Sequence, residues 1–111
     1  MLKNISKINR IIGISIIFLL ATSFSYTQES GQVMGRITDQ EGGALENTNV
    51  QIVGTNFGDV TNQNGIYRIR NIPAGEYTVK ASYIGYKTDS TKVIVEENET
   101  VTADLTLTYR A

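Results

Sequence analysis

"TNQNGIYRIRNIPAGEYTVKASYIGYK", Thr61 to Lys87, places Gly65, Gly75 and Gly85 ten residues apart, each within two positions of a tyrosine. Two readings compete for this punctuation: a loop that grips a ligand, or the turn chemistry of a small sandwich. The residues between the glycines decide. In "EYTVKASY", Tyr77, Val79, Ala81 and Tyr83 alternate with Thr78, Lys80 and Ser82. A period of two with one apolar side is the pattern of a half-buried strand with one wet face.

The same period recurs on both sides. "TVTADLTLTY" alternates Val101, Ala103, Leu105, Leu107 and Tyr109 against Thr102, Asp104, Thr106 and Thr108. Weaker strands are predicted at "QVMGRIT" (Val33, Ile37), "TNVQIVG" (Val50, Ile52), "GIYRIR" (Tyr67, Ile69) and "TKVIVEE" (Val93, Val95). Between them lie "DQEGG", "NQNG", "NIPAG", "IGYKTDS" and "EENE". Gly takes φ > 0 without steric cost and Asn tolerates it, so Asn64-Gly65 marks a tight turn. Pro73 lacks the N–H that a ladder needs and suits a turn. If Gly75 has φ > 0, a β-branched residue there should destabilise the fold. No window after residue 27 supports a helix of ten residues or more. These features predict an all-β, antiparallel sandwich of about seven strands.

Residues 1–27 read as a signal-peptide helix. Lys3, Lys7 and Arg10 form a basic start with no acid, and Ile11 to Phe24 is an apolar run of 14 residues. A membrane span needs roughly 20, and this run ends in Ser23, Ser25, Tyr26 and Thr27. Cleavage after Ser25 or Thr27 fits, and an uncleaved anchor is the competing reading. No cysteine follows to carry a lipid. The expected location is the periplasm or the outer-membrane surface, with membrane contact only through the export signal or a partner.

Residues 28–111 form the predicted domain, expected to be entire because its last strand closes near the final residue. It has 7 Lys and Arg against 11 Asp and Glu, a net charge of −4. With no basic stripe to neutralise phosphates, nucleic acid is not expected as a partner. Without cysteine there are no disulfide staples, so burial alone must stabilise the fold.

The chain has no histidine and no cysteine. That removes a Ser-His-Asp triad, a histidine base, thiolate nucleophiles and the usual zinc sets. A carboxylate pair could run glycoside hydrolysis, but Asp39, Glu41, Glu96, Glu97 and Glu99 fall in turns, where a solvated charge is the simpler account. "DVTNQNG", Asp59 to Gly65, starts like a calcium loop, yet Asn62 and Asn64 stand where carboxylates are wanted. No catalytic residue, metal or cofactor is therefore expected. Tyr83 and Tyr86 flank "IG" at a strand end; they either fill the sandwich or stack on a sugar or a protein. Arg68 and Arg70 share a strand face opposite Tyr67 and Ile69, either as a solvated face or as a guide for an acidic partner.

These residues also carry a resemblance. Gly35, Ile37, Thr38 and Asp39, then Gly54-Thr55, then Thr61, Asn62, Asn64, Gly65 and Tyr67, then Pro73, Gly75 and Tyr77, and finally Tyr83, Gly85 and Tyr86 stand in the order seen in the carboxypeptidase regulatory-like domain. The resemblance runs from about Gln32 to Tyr109. Asn62 replaces the usual acid, and "ALENTNV" lacks the common Pro and Gly-Ala of that turn. The resemblance implies a transthyretin-like sandwich that serves as an accessory without catalysis of its own. An export signal followed directly by this domain is similar to the periplasmic N-terminal extension of TonB-dependent outer-membrane receptors, especially glycan importers. The plug and barrel of such a receptor are not in this sequence. The implied partner is an envelope protein, with a carbohydrate-binding module as the alternative.

Overall fold

The computed structural model describes residues 29–110, and the predicted signal peptide lies outside the described residues. Eight strands occur in order: β1 (Ser30–Asp39), β2 (Asn49–Ile52), β3 (Gly58–Val60), β4 (Ile66–Pro73), β5 (Gly75–Ser82), β6 (Asp89–Val95), β7 (Thr100–Thr102) and β8 (Leu105–Leu107). They form two sheets. One has the order β4-β1-β7, with β8 continuing alongside β1; the other runs β3-β2-β5-β6.

Alternation decides which side of each strand is buried. Val33 and Ile37 of β1, Val50 and Ile52 of β2, Tyr67 and Ile69 of β4, Val79 and Ala81 of β5, Val93 and Val95 of β6, and Leu105 and Leu107 of β8 meet in one core. Burying each large aliphatic side chain contributes about 1.5–3 kcal/mol. In a domain without disulfides this is the main stabilising term.

The antiparallel expectation holds for β1–β4 and for the whole second sheet. It fails at the end of the chain, where β7 and β8 both run parallel to β1. The predicted continuous strand at residues 100–109 is also broken in two, and the cause lies in its neighbours. At the break, Ala103 N–H donates to the Met34 carbonyl at 2.9 Å. The Tyr67 hydroxyl donates to the Ala103 carbonyl at 2.5 Å. Arg36 N–H donates to Asp104 Oδ1 at 2.8 Å, replacing a ladder bond. Gly35 makes this possible, because a Cβ there would run into the Ala103 carbonyl oxygen.

The turn chemistry also differs in part from expectation. Gly65 and Gly85 have φ of 74° and 90°, the left-handed region that favours glycine. Gly75 keeps a positive φ, 159°, as expected, but begins β5 rather than sitting inside a turn. Pro73 ends β4, so only Ala74 separates the two strands. Since β4 and β5 belong to different sheets, this is a corner between layers, with Ile72 fully buried inside it. Pro73 is tolerated at the end of an edge strand, where a missing N–H breaks little.

The oxygens of "DVTNQNG" are used within the fold. Asn62 Oδ1 accepts from the N–H groups of Asn64 and Ile66 at 2.9 and 3.1 Å. Asp59 Oδ2 accepts from Arg68 N–H at 2.9 Å. Buried Thr61 ties this segment to "ALENTNV": its Oγ1 accepts from Thr48 N–H at 2.9 Å and donates to the Leu45 carbonyl at 2.5 Å.

Candidate functional site: a tyrosine-walled cleft at one end of the sandwich

β5 ends at Ser82, one residue before Tyr83. The alternation that pointed Tyr83 inward therefore stops short of it, and Tyr83 is 37 % exposed. The chain then turns, with Tyr86 N–H donating to the Tyr83 carbonyl at 3.1 Å. Ile84, at the crest of this turn, is 96 % exposed, an unusual position for an isoleucine.

β8 likewise ends at Leu107, and Tyr109 leaves the buried phase to become half exposed. It comes to rest against the turn. Lys87 N–H donates to the Thr108 carbonyl at 2.8 Å, and Arg110 N–H donates to the Gly85 carbonyl at 2.9 Å. Gln40 Oε1 holds Tyr109 N–H at 2.9 Å.

Three tyrosines thus form one cluster. Tyr86 and Tyr109 lie 4.7 Å apart, tilted by 30°. Tyr83 meets Tyr86 edge-on at 5.6 Å and 66°. Such offset and T-shaped pairs are the favoured aromatic geometries. Tyr86 is the partly buried centre, and Tyr83 is the outer member. The Tyr86 phenol is pushed up to about 12, first by its Tyr109 hydrogen-bond partner, then by lost hydration and by the neighbouring Tyr109, Asp39 and Tyr83. Like any phenol, the centre of the cluster is uncharged near neutral pH.

Beside it opens a cleft of about 850 Å³, lined among others by Asn47, Asn49, Ser82, Tyr83, Thr88 and Arg110. Asn49 and Ser82 are register partners across β2 and β5, which sets amide and hydroxyl side by side. Asn47 takes φ of 63°, a conformation asparagine adopts more readily than most residues.

The structure therefore brings Tyr83, Gly85 and Tyr86 together, and leaves Arg68 and Arg70 elsewhere. Both arginines are exposed on β4, opposite buried Tyr67 and Ile69. They line a separate cleft with Phe57 and Asp59. Arg68 also places Nη2 3.1 Å from Met34 Sδ. Sequence reasoning missed Ile84, Tyr109, Arg110, Asn47 and Asn49 as site residues. The available signal was the density of tyrosines beside strand ends. Among the described residues, no three carboxylate, histidine or cysteine side chains gather as a metal set.

Comparison with known proteins places this geometry in context. The sandwich is similar to a chain in a type II cohesin–X-dockerin complex from Acetivibrio cellulolyticus, with 26 % identity, a TM-score of 0.61, and coverage of 69 % of this chain and 56 % of that one. It is similar to the minor pilin of Streptococcus agalactiae, with 16 % identity, a TM-score of 0.59, and coverage of 76 % and 46 %. It is also similar to catechol 1,2-dioxygenase from Acinetobacter sp. ADP1, with 14 % identity, a TM-score of 0.63, and coverage of 80 % and 55 %. The last two likenesses show the fold alone. The chain spans about half the length of each of these proteins. No curated protein matches it. The model of the carboxypeptidase regulatory-like domain matches residues 32–108, which include both sheets and the tyrosine turn. By that match, the chain belongs to the carboxypeptidase regulatory-like domain family.

Proposed function

We propose that this chain is an exported, non-catalytic interaction module that docks on an envelope protein, in the manner of the periplasmic N-terminal domain of TonB-dependent uptake receptors. One observation carries the reading. Ile84, Tyr83 and Tyr109, three of the six large apolar side chains left exposed among the described residues, belong to the same turn-and-tail cluster. Aromatic residues held rigidly at an exposed site are the residues that dominate protein contacts. The absence of histidine and cysteine supports a role without catalysis. So does the similarity to a chain of a cohesin–X-dockerin complex. Export to the periplasm rests on residues 1–27 as read above.

The test is crosslinking from a photoreactive residue at position 84 in intact cells. A discrete adduct with an outer-membrane receptor or its periplasmic machinery is expected, lost when Tyr109 becomes Ala. A crosslinker at exposed Lys92 that gave the same adduct would rule out the tip as the docking surface. A second reading, a carbohydrate-binding module, is favoured by a different observation: the amide- and hydroxyl-lined cleft beside Tyr83.

A further inference from the structure

We propose that the cleft between the β2–β5 surface and Tyr83 is a binding site for a neutral oligosaccharide. This rests on the second reading above and assigns it a place, an orientation and a set of contacts. It does not depend on protein docking at Ile84.

A sugar ring presents two chemistries: C–H groups on its faces and hydroxyls around its edge. A site for it needs an aromatic wall and a ring of amides and hydroxyls, and this cleft has both. Tyr83 is the wall, because Tyr86 is already engaged with Tyr109 while Tyr83 remains exposed. Its position is held from beneath by the edge contact with Tyr86, so binding orders little that is not already ordered.

The floor follows from strand register. Val60 of β3, Asn49 of β2 and Ser82 of β5 are successive partners across three strands. Neighbouring strands stand about 4.8 Å apart. The row therefore runs perpendicular to the strands, and its Asn49–Ser82 part lies in the cleft beside Tyr83, the residue that follows Ser82, while half-exposed Val60 stands outside the lining. A cleft of about 850 Å³ has room for more than one sugar ring. Asn47 adds a second amide and Thr88 a second hydroxyl, while Arg110 supplies donors at the rim. The cleft volume falls within the range of small-molecule sites, roughly 300–1,000 Å³.

Charge points to a neutral ligand. Among the described residues, Arg110 is the one group of fixed charge in the cleft lining, and the Tyr86 phenol is uncharged near neutral pH. An anionic glycan would want several cations, and a nucleotide would want more.

The experiment is a titration of the exported, purified chain with maltohexaose, laminarihexaose and mannohexaose, followed by amide chemical shifts. Saturable shifts at Asn49, Ser82, Tyr83 and Thr88 with at least one probe are expected. Tyr83→Ala should weaken binding by about tenfold or more, as loss of a stacking face does, and Tyr83→Phe should retain it. Ile94→Ser, an exposed position on β6 outside the cleft, should leave it unchanged. Saturable shifts confined to another surface would overturn the site while keeping the module reading. No saturable shift with any of the three probes up to about 10 mM, ten times a weak millimolar Kd, would overturn both. Binding that survives Tyr83→Ala with undiminished strength would remove the stacking wall and the proposal with it.

Discussion

Tyr67→Phe tests the junction that breaks the last strand. The ring is buried, so the substitution removes one oxygen and keeps the packing. What is lost is the 2.5 Å hydrogen bond to the carbonyl of Ala103, itself a buried residue. Removing one partner of a buried pair costs about 1–2 kcal/mol. In a domain of this size that lowers Tm by roughly 5–15 °C. The same hydroxyl also carries a pH signature. Burial first, and then the nearby Asp104 charge, raise its pKa well above the ordinary 10.0. The unfolded chain therefore loses this proton first, and the Tyr67 contribution is complete below about pH 10 and declines above it. At about pH 11, one unit above the unfolded value, the loss is about 1.4 kcal/mol. The phenylalanine variant has no proton to lose at this position, so it escapes this term. Urea denaturation followed by circular dichroism at pH 7, 9 and 11 should show the parent more stable by the full margin at pH 7 and 9, with the two converging near pH 11. All other tyrosines and lysines are common to both proteins and cancel in the difference. A margin that stays constant from pH 7 to 11 would refute the reasoning about ionisation. A margin of zero at pH 7 would refute the hydrogen bond itself.

Gly65→Val should cost roughly 2–3 kcal/mol or more, because φ is 74° and the new Cβ would sit 2.5 Å from the Ile37 carbonyl oxygen. Gly75→Val should also destabilise, by roughly 1–2 kcal/mol, because φ is 159°, positive and rarely adopted by L residues, but less than Gly65→Val because a Cβ there meets Tyr77 at an ordinary 3.5 Å; equal losses at the two positions in thermal melts would contradict this. Thr61→Val preserves shape but orphans Thr48 N–H and removes a donor from the Leu45 carbonyl, so a loss of roughly 2–4 kcal/mol is expected in denaturant titrations. Tyr109→Phe removes the neighbouring phenol that is the first cause of the raised Tyr86 pKa and should bring it down from about 12 in an ultraviolet titration.

How far the sequence could be read follows from what each element depends on. β5 was legible because its two faces meet different media along eight residues. β3 was not, because Gly58–Val60 is too short to show a period, and it forms only by pairing with β2. The break between β7 and β8 has no signature of its own. Ala103 and Asp104 continue the alternation correctly, and the interruption is imposed by Gly35, Tyr67 and Arg36, which lie far away in the chain.

The site was only partly legible, for a related reason. A period of two predicts orientation only while the ladder continues, and both strands stop just before their last aromatic residue. Past Ser82 and Leu107, nothing in the pattern says where Tyr83 and Tyr109 point. The isolated bridge between Tyr86 and Tyr109 shows what replaces the ladder, a contact between a turn and a tail. The cleft floor then depends on Asn49 facing Ser82, a matter of register between strands far apart in the chain. Their place on either side of Ile84-Gly85 at a strand end could mark Tyr83 and Tyr86 as candidates. Only the pairing of β2 with β5 could give them amides and hydroxyls for neighbours, and so turn an exposed tyrosine into one wall of a cleft.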